Sequence, residues 1–490
     1  MKNTSFLFKY YPPLLDKNQQ DFLISELMDY TQIHGLTMRQ KPSEFKKTYF
    51  FENMHISFTL YPSLLPSIIF EKAKAIQCDF NKLYAFIAND EEFMTQIIKD
   101  LSTDNFIKKL WDIHLEAKNK GIVQPISLGI FRSDYFIQIA DNSFPQLKQI
   151  EFNTISTSMA GFASEISKAH KYLYKIGAYE SYSILKNSNF PENNPIESII
   201  KGIATADKLY GGKDTKVLLI AGSNEPFIFD QRLFEYKLFE IYGIKTYRIH
   251  LSSILDFIEL RQNDKALLFK SPHSKIEEIS VVYFRTGYSP DHYTSSNEWS
   301  ARLLIEESRA IKCPTIMTQL SGCKKVQQIL CEKNIIEKFL PKNPSDALKE
   351  TFVSIYALDT DLLNQEAYRL LINNPQNYVL KPQREGGGNN IYGFKILDFL
   401  KTTPKSYKQY ILMERIHSPS HANIIIKDGE IYHIDGIDEL GIYGVILWNN
   451  NGTIYYNEES GYLLRTKDKS NDEGGIVIGC SSISSCALIP

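Results

Sequence analysis

The run "KPQREGGGNN", residues 381–390, sets three of the chain's 25 glycines side by side between two strand-like segments, "NYVL" and "IYGFKI". Glycine lacks a Cβ and reaches positive φ freely, so such a run lets consecutive amide N–H groups turn toward one ligand. A concavity of that kind suits an anion, phosphate above all. Lys381 supplies a point charge, Glu385 a hard oxygen for Mg2+, and Asn389 and Asn390 neutral donors and acceptors. The loop is not a Walker motif, and no G-x-G-x-x-G follows a strand. Taken alone, the run also reads as a flexible hairpin connection.

At 490 residues the chain exceeds what one hydrophobic core organises, so two or three lobes are expected. A formal net charge of −2 gives no footprint for nucleic acid or an anionic membrane. No window approaches the apolar run of about 18 residues that a membrane span needs. The six cysteines (Cys78, Cys313, Cys323, Cys331, Cys480 and Cys486) show no metal spacing and read as free thiols in a reducing compartment. The start, "MKNTSFLFKYYPPLLDKNQQ", has no clean apolar leader. A cytoplasmic location is expected, with secretion open if a leader has been removed.

Hydropathy patterns then divide the chain. "PSLLPSIIFEKAKAIQCDFNKLYAFI" has helical spacing, whereas "QLKQIEFNTIS" alternates with the period of a strand. Asn194-Pro195 opens a capped helix that stops at "GG", and the stretch from Phe190 to Pro195 reads as a linker. "KVLLIAG", "KTYRIHL" and "SVVYFRTGY" read as strands of an α/β unit, and "NEWSARLLIEESRAIKCP" as a helix ended by its proline. The last third is strand-rich, with Asp428-Gly429 and Asn451-Gly452 as hairpin turns. One antiparallel sheet carrying both the glycine-rich loop and several acids is the expected picture there.

Side chains at i and i+2 of a strand share a face, so Glu151 and Asn153 offer two oxygen donors side by side, a pair that suits Mg2+. A solvated strand face is the other reading. The hydroxyl-rich "TISTSMAG" reads as a turn or as a holder of polar substrate ends. Arg132 stands beside Asp134, placed either to hold a carboxylate or to form a structural ion pair. Lys324 and Lys325 open a helix, and Arg465 and Lys467 share a strand face ahead of "DKSNDEGGIVIG", a candidate mobile lid. Together these residues point to ATP held between two sheets, with a phosphoryl group passing to a carboxylate.

"LKPQREGGGNNIYG", "KQIEFNTIS", "YILMERI", "ELGIYGV" and "LLRTK" resemble the eukaryotic-type glutathione synthetase family, in order from about residue 50 to 480. The resemblance implies an α/β (α+β) chain with an ATP-grasp fold: antiparallel sheets sandwiching ATP, plus an inserted α/β substrate-binding domain and a lid. The implied units are 1–210, 211–325 and 326–490, the last with its glycine-rich loop at 381–393 and its lid at 465–482. The implied reaction joins γ-glutamylcysteine to glycine, or to another small amino acid, with ATP as co-substrate and Mg2+, two ions, as cofactor. A homodimer is implied as well.

The same resemblance implies the roles of residues. Glu151, Asn153 and Glu385 match the metal ligands. Glu151, Lys324, Lys381, Gln383, Glu385, Gly386, Gly387, Gly388, Asn389, Asn390 and Tyr392 match ATP contacts, with Met413, Glu414, Arg415, Ile416, Glu439, Lys467 and Glu473 completing that pocket. Arg132, Ile155, Ser156, Thr157, Ser158, Glu225, Phe227, Gln231, Arg285, Thr286, Gly287 and Tyr288 match the donor side, and Arg465, Ile476 and Val477 the acceptor side. Arg132, Lys381 and Arg465 match the catalytic positions.

Departures from the family pattern gather at the substrate side. Where the family has Glu-Arg-Asn this chain has Glu225-Pro226-Phe227, "RDGY" reads "RTGY" with Thr286, and the lid's "GGVAAG" reads "GGIVIG" with Val477 and Ile478. A lid Asp becomes Glu473. A paralogue with another acceptor, or with little ligase activity and a recruited binding role, is the alternative these positions leave open.

Overall fold

The computed structural model describes residues 11–40, 52–139, 144–179, 185, 188–341, 346–358, 366–402 and 407–490. Residues 1–10, on which the reading of the start rests, therefore lie outside the described residues. Among the described residues no helix is long and apolar enough to cross a membrane.

A seven-stranded sheet joins distant parts of the chain. Its order is His421–Lys427, Phe58–Thr59, Ser482–Ser484, Ile454–Asp468, Glu430–Asn449, Ile126–Gln138 and Gln146–Asn153. His421–Lys427 also pairs with Glu430–Asn449, so one end of the sheet curls back on itself. The tight turn of that hairpin is Asp428-Gly429, both at positive φ (54° and 79°), as the sequence predicts. The central strands are buried on both faces. Phe131, Ile442 and Ile446 pack with Phe80 and Tyr84 of the helix Ser67–Asn89. Ile130, Tyr443 and Val445 pack with Ile166, Ile199 and Ile203 of the helices Ala160–Lys175 and Pro195–Tyr210.

Two further sheets flank this one. Thr246–His250, Lys216–Ala221, Ile276–Phe284, Leu267–Lys270 and Ile258–Leu260 form a mixed sheet, with Ile311–Cys313 parallel to Ile276–Phe284. Every residue of Lys216–Ala221 is buried, as a continuous apolar run in an α/β layer should be. The other sheet is small and wholly antiparallel, in the order Ile355–Ala357, Tyr410–Glu414, Tyr378–Pro382, Ile391–Tyr392. Leu380 and Leu412 pack one of its faces on the helices Glu366–Asn373 and Phe394–Thr402.

Three sequence expectations are corrected here. The helix Ser296–Glu307 ends before Cys313-Pro314, with the short strand Ile311–Cys313 between. Asn194 makes no side-chain cap bond to the helix it precedes, although Gly211 does end that helix in the left-handed region (φ 78°). The glycine-rich loop and the acids also occupy different sheets. The loop joins Tyr378–Pro382 to Ile391–Tyr392, whereas Glu151 and Glu439 belong to the seven-stranded sheet.

Candidate active site

The face of the seven-stranded sheet that is apolar at Leu128, Ile130 and Val445 turns charged at its other end, by simple continuation of the two-residue period. Arg132 and Asp134 follow Ile130 on the same face. The register sets Arg132 beside Asn153 and Asp134 beside Glu151, with Glu439 opposite Arg465 on the next pair of strands. Phe152, between Glu151 and Asn153, points the other way and stacks on Tyr84 at 3.8 Å. That aromatic contact fixes which face the two oxygen donors present.

Asp134 is the hub of this face. Arg132 donates to it through Nε at 2.6 Å and Nη2 at 2.9 Å, Arg465 through Nη2 at 2.9 Å, and Asn153 through Nδ2 at 2.9 Å. Arg465 also contacts Glu439. Gly441 lies directly opposite Asp134, and a Cβ there would come within 2.6 Å of its Oδ1, so only glycine admits the cluster. Arg132 thus forms the structural ion pair that was one of the two sequence readings, and it also lines the cavity described next.

Across from this face stands the small sheet, whose Val379, Lys381 and Met413 share one side. A cavity of about 520 Å³ lies between the two sheets. The glycine-rich loop, residues 471–478, the 155–159 loop and Tyr288 to His292 complete its walls. Lys324, at the start of the helix Lys324–Leu330, bridges the layers: its Nζ is 3.1 Å from Glu151 and 3.5 Å from Glu385. Lys381 Nζ donates to the Ile150 carbonyl at 3.0 Å.

Electrostatics sharpen the picture. Burial alone would raise the Glu151 carboxyl, but Lys324, Lys381 and Arg465 hold it well below the usual carboxylate range. Glu385 is pushed upward by burial, with Lys324 opposing. Burial lowers the Lys381 ammonium to about 8 against the pull of Glu151, and burial raises Glu439 against the pull of Arg465. A cluster of this density, linked by ion pairs, suits a polyanion and its counter-cation.

The donor set fits Mg2+. Glu151 and Glu385 converge on one ammonium, and Asn153 spends its amide nitrogen on Asp134 and the Arg132 carbonyl, which leaves its amide oxygen as the end available to the cavity. Among the described residues no group of three or more His, Cys, Asp or Glu could hold a metal by itself. The set therefore suits a cation that draws the rest of its shell from phosphate and water.

Comparison with known proteins now bears on this geometry. The family model described as "Eukaryotic glutathione synthase, ATP binding domain" matches residues 17–488. The glutathione synthetase of Homo sapiens is 38% identical over 476 residues, 95% of this chain and 96% of its own length. The chain belongs to the eukaryotic glutathione synthase family. Its members are ATP-dependent ligases. The glutathione synthetase large chain of Schizosaccharomyces pombe is also 38% identical, over 88% of this chain and 91% of its own. A solved glutathione synthetase-like effector of Globodera pallida, in its apo form, superposes with a TM-score of 0.75 over 97% of this chain and all of its own, at 22% identity. That likeness speaks to the fold, which is of the ATP-grasp type expected.

Within this glutathione synthase-family chain the positions expected at the ATP side and in the lid gather closely. Glu151, Asn153, Lys324, Lys381, Glu385, Gly386, Gly387, Asn389, Asn390, Tyr392, Met413, Glu414, Arg415, Ile416, Glu439, Arg465, Lys467 and Glu473 all line the cavity, as do Arg132, Ile155, Ser156, Thr157, Ser158, Tyr288, Ile476, Val477 and Ile478. Glu473 accepts from the amides of Gly388 (3.4 Å) and Asn390 (3.0 Å), tying the 471–478 stretch to the glycine-rich loop. Gln383 sits beneath, accepting from Lys325 N at 3.0 Å. Val477 stays 61% exposed at the cavity's mouth.

Glu225, Phe227, Gln231, Arg285, Thr286 and Gly287 are placed differently: none is among the lining residues. Arg285 turns to Asp230 (3.4 Å), Gln231 accepts from Arg248 (2.6 Å), and Phe227 is buried against Phe162. Asp230 escaped the sequence reading, yet it accepts from the amides of Met159 and Gly161 at 3.0 and 2.8 Å, anchoring the loop in which Ser156 and Met159 adopt positive φ. Its signal was available. Phe227, Asp230, Gln231, Phe234, Glu235 and Leu238 are buried at helical spacing, and acids inside such a stripe must have partners. Asp291 and His292, also lining residues, were missed for want of any motif.

Proposed function

We propose that this chain is an ATP-dependent ligase that joins γ-glutamylcysteine to glycine to give glutathione, ADP and phosphate. The observation that carries the reading is the convergence of Glu151, Lys324, Lys381 and Glu385 on a cavity between two facing sheets that Gly386 and Gly387 also line, in a member of the glutathione synthase family. In this reading the cysteinyl carboxylate attacks the γ-phosphorus of ATP, the bond to the β-phosphate oxygen breaks, and ADP leaves. The acceptor amine then adds to the acyl phosphate, loses a proton and expels phosphate.

Such chemistry asks for placement and charge neutralisation more than for a protein nucleophile. Lys324 and Lys381 spread the charge of the phosphates, and the amides around Gly386 to Gly388 receive them. Mg2+, held by Glu151, Asn153 and Glu385, supplies further neutralisation of phosphate charge. Arg132, fixed by Asp134, meets the oxyanion of the addition step, and Arg465 the acceptor carboxylate. The 471–478 stretch excludes water from the acyl phosphate. The units 1–210, 211–325 and 326–490, a pair of chains and a cytoplasmic workplace belong to the same reading. The exposed Tyr236, Phe239 and Ile241 on one helix support the pairing.

The test is phosphate release from ATP and γ-glutamylcysteine with glycine, β-alanine, serine or no acceptor. Glycine-dependent release supports the reading. Release with another acceptor alone moves the specificity to the lid side chains Val477 and Ile478. Nucleotide binding without release under any condition overturns the ligase.

A further inference from the structure

His292 lines the cavity without a part in the chemistry above, and its ring is committed in an unusual way. The amides of Gly287 and Ser289 both donate to its Nδ1, at 3.1 and 3.3 Å. A nitrogen that accepts cannot carry a proton, so the ring is the neutral tautomer with its hydrogen on Nε2. Burial lowers the imidazole below its ordinary value, with Asp291 opposing, which favours the neutral ring. The loop's carbonyl side is held as firmly, since Gly287 O accepts from Tyr293 (3.2 Å) and Gln319 (3.0 Å).

What this clamp presents to the cavity is Tyr288. The phenol ring meets the imidazole edge-on, with centroids 4.6 Å apart and planes at 85°. Next to it is the glycine-rich loop, where a Cβ on Gly386 would lie 3.7 Å from Tyr288 Cε2. The imidazole therefore stands at the base of a wall that bridges the loop after Phe284 to the phosphate cradle. Gly287 at φ +86° has no preferred conformation of its own to hold that wall.

We propose that His292 is a positioning residue for the donor dipeptide: by accepting the Gly287 and Ser289 amides it fixes the loop that sets Tyr288 against Gly386, and so sets the affinity for γ-glutamylcysteine. The identity of that donor rests on the function proposed above. Without the acceptor two amides lose their partner and the wall loosens, while the phosphate machinery on the two sheets keeps its own contacts.

The test compares His292→Ala, His292→Asn and His292→Gln in the full chain. The asparagine side chain carries an oxygen as far from the backbone as Nδ1, and glutamine carries its oxygen one carbon further out. His292→Ala is expected to raise KM for γ-glutamylcysteine about tenfold, with kcat and the KM for ATP within about threefold of wild type. His292→Asn is expected to restore KM to within about twofold, and His292→Gln to behave as alanine does. Hydrogen exchange over residues 285–293 should quicken in the Ala and Gln variants and stay slow in Asn. Unchanged KM and exchange in His292→Ala overturn the proposal, as does an asparagine variant with slow exchange and the alanine variant's KM. A wild type that releases no phosphate strikes the functional reading alone, and the exchange pattern then decides whether His292 holds this loop.

Discussion

The two ends of the site, the cavity and the layer behind its wall, handle charge in opposite ways. At the end between the sheets, Glu151, Lys324, Lys381 and Glu385 reach toward one another across the gap and remain on its walls. At the other end, outside the cavity's lining, Arg285, Gln231 and Asp230 have already closed on partners of their own, and Phe227 and Thr286 are buried. The first arrangement makes charges available to a ligand, and the second uses them to shape the backbone that a ligand meets. Substitution should therefore cost catalysis at one end and recognition at the other.

The largest effect is expected for Lys381→Ala. Loss of a buried cation at the phosphate cradle should lower kcat for phosphate release by about a hundredfold or more, with the KM for γ-glutamylcysteine little changed. Arg285→Ala should do the reverse, raising that KM about tenfold and leaving kcat near wild type. Steady-state kinetics on both variants checks the contrast. Equal losses in kcat would erase the distinction between the two ends.

This division also governs what could be read from the sequence. Glu151 and Asn153 were legible as a pair because period two depends only on spacing, and the aromatic stack of Phe152 on Tyr84 confirms the face. The hairpins were legible because Asp-Gly and Asn-Gly are local turn signals, and positive φ at Asp428, Gly429 and Gly452 bears them out. Tertiary register, by contrast, leaves no local trace. That Gly441 must be bare to admit Asp134, or that Asp230 braces a loop 70 residues upstream, depends on strands brought together from far apart. The split of the loop and the acids between two sheets was missed for the same reason: hydropathy shows strands, not which strands pair. Most of the lining positions came from a resemblance rather than from periodicity.

A smaller effect tests the bracing residue. Asp230→Ala removes the acceptor of the Met159 and Gly161 amides and leaves Arg285 buried without its carboxylate. Breaking a buried charged network in this way typically costs about 3 kcal/mol of stability. Denaturant unfolding should show a loss of that size, and Asp230→Asn, which retains an acceptor oxygen, should recover part of it. If both variants unfold as wild type does, the 155–159 loop is not braced through Asp230.

The smallest effect concerns a pair beyond the cavity. His421 Nε2 lies 2.7 Å from Asp438, which also accepts from Ser63 and Thr466 and so links the curled hairpin to the N-terminal segment. Burial would lower the imidazole, but Asp438 raises it above its ordinary value, and the same partner helps to hold Asp438 below the usual carboxylate range. The sign follows from linkage. A histidine with a raised folded value stabilises the fold fully below its unfolded value and loses that contribution as pH rises through the folded one. Asp438 keeps its contribution until pH falls through its depressed value, below that of a free carboxyl. His421→Gln retains a donor at the Nε2 position but no charge. The wild-type advantage in unfolding free energy over this variant should thus be largest near about pH 5.5, of the order of 1 kcal/mol, and shrink steadily toward pH ~8. An advantage that grows with pH would mean that the imidazole is held neutral and that Asp438 is anchored by its hydroxyl donors instead.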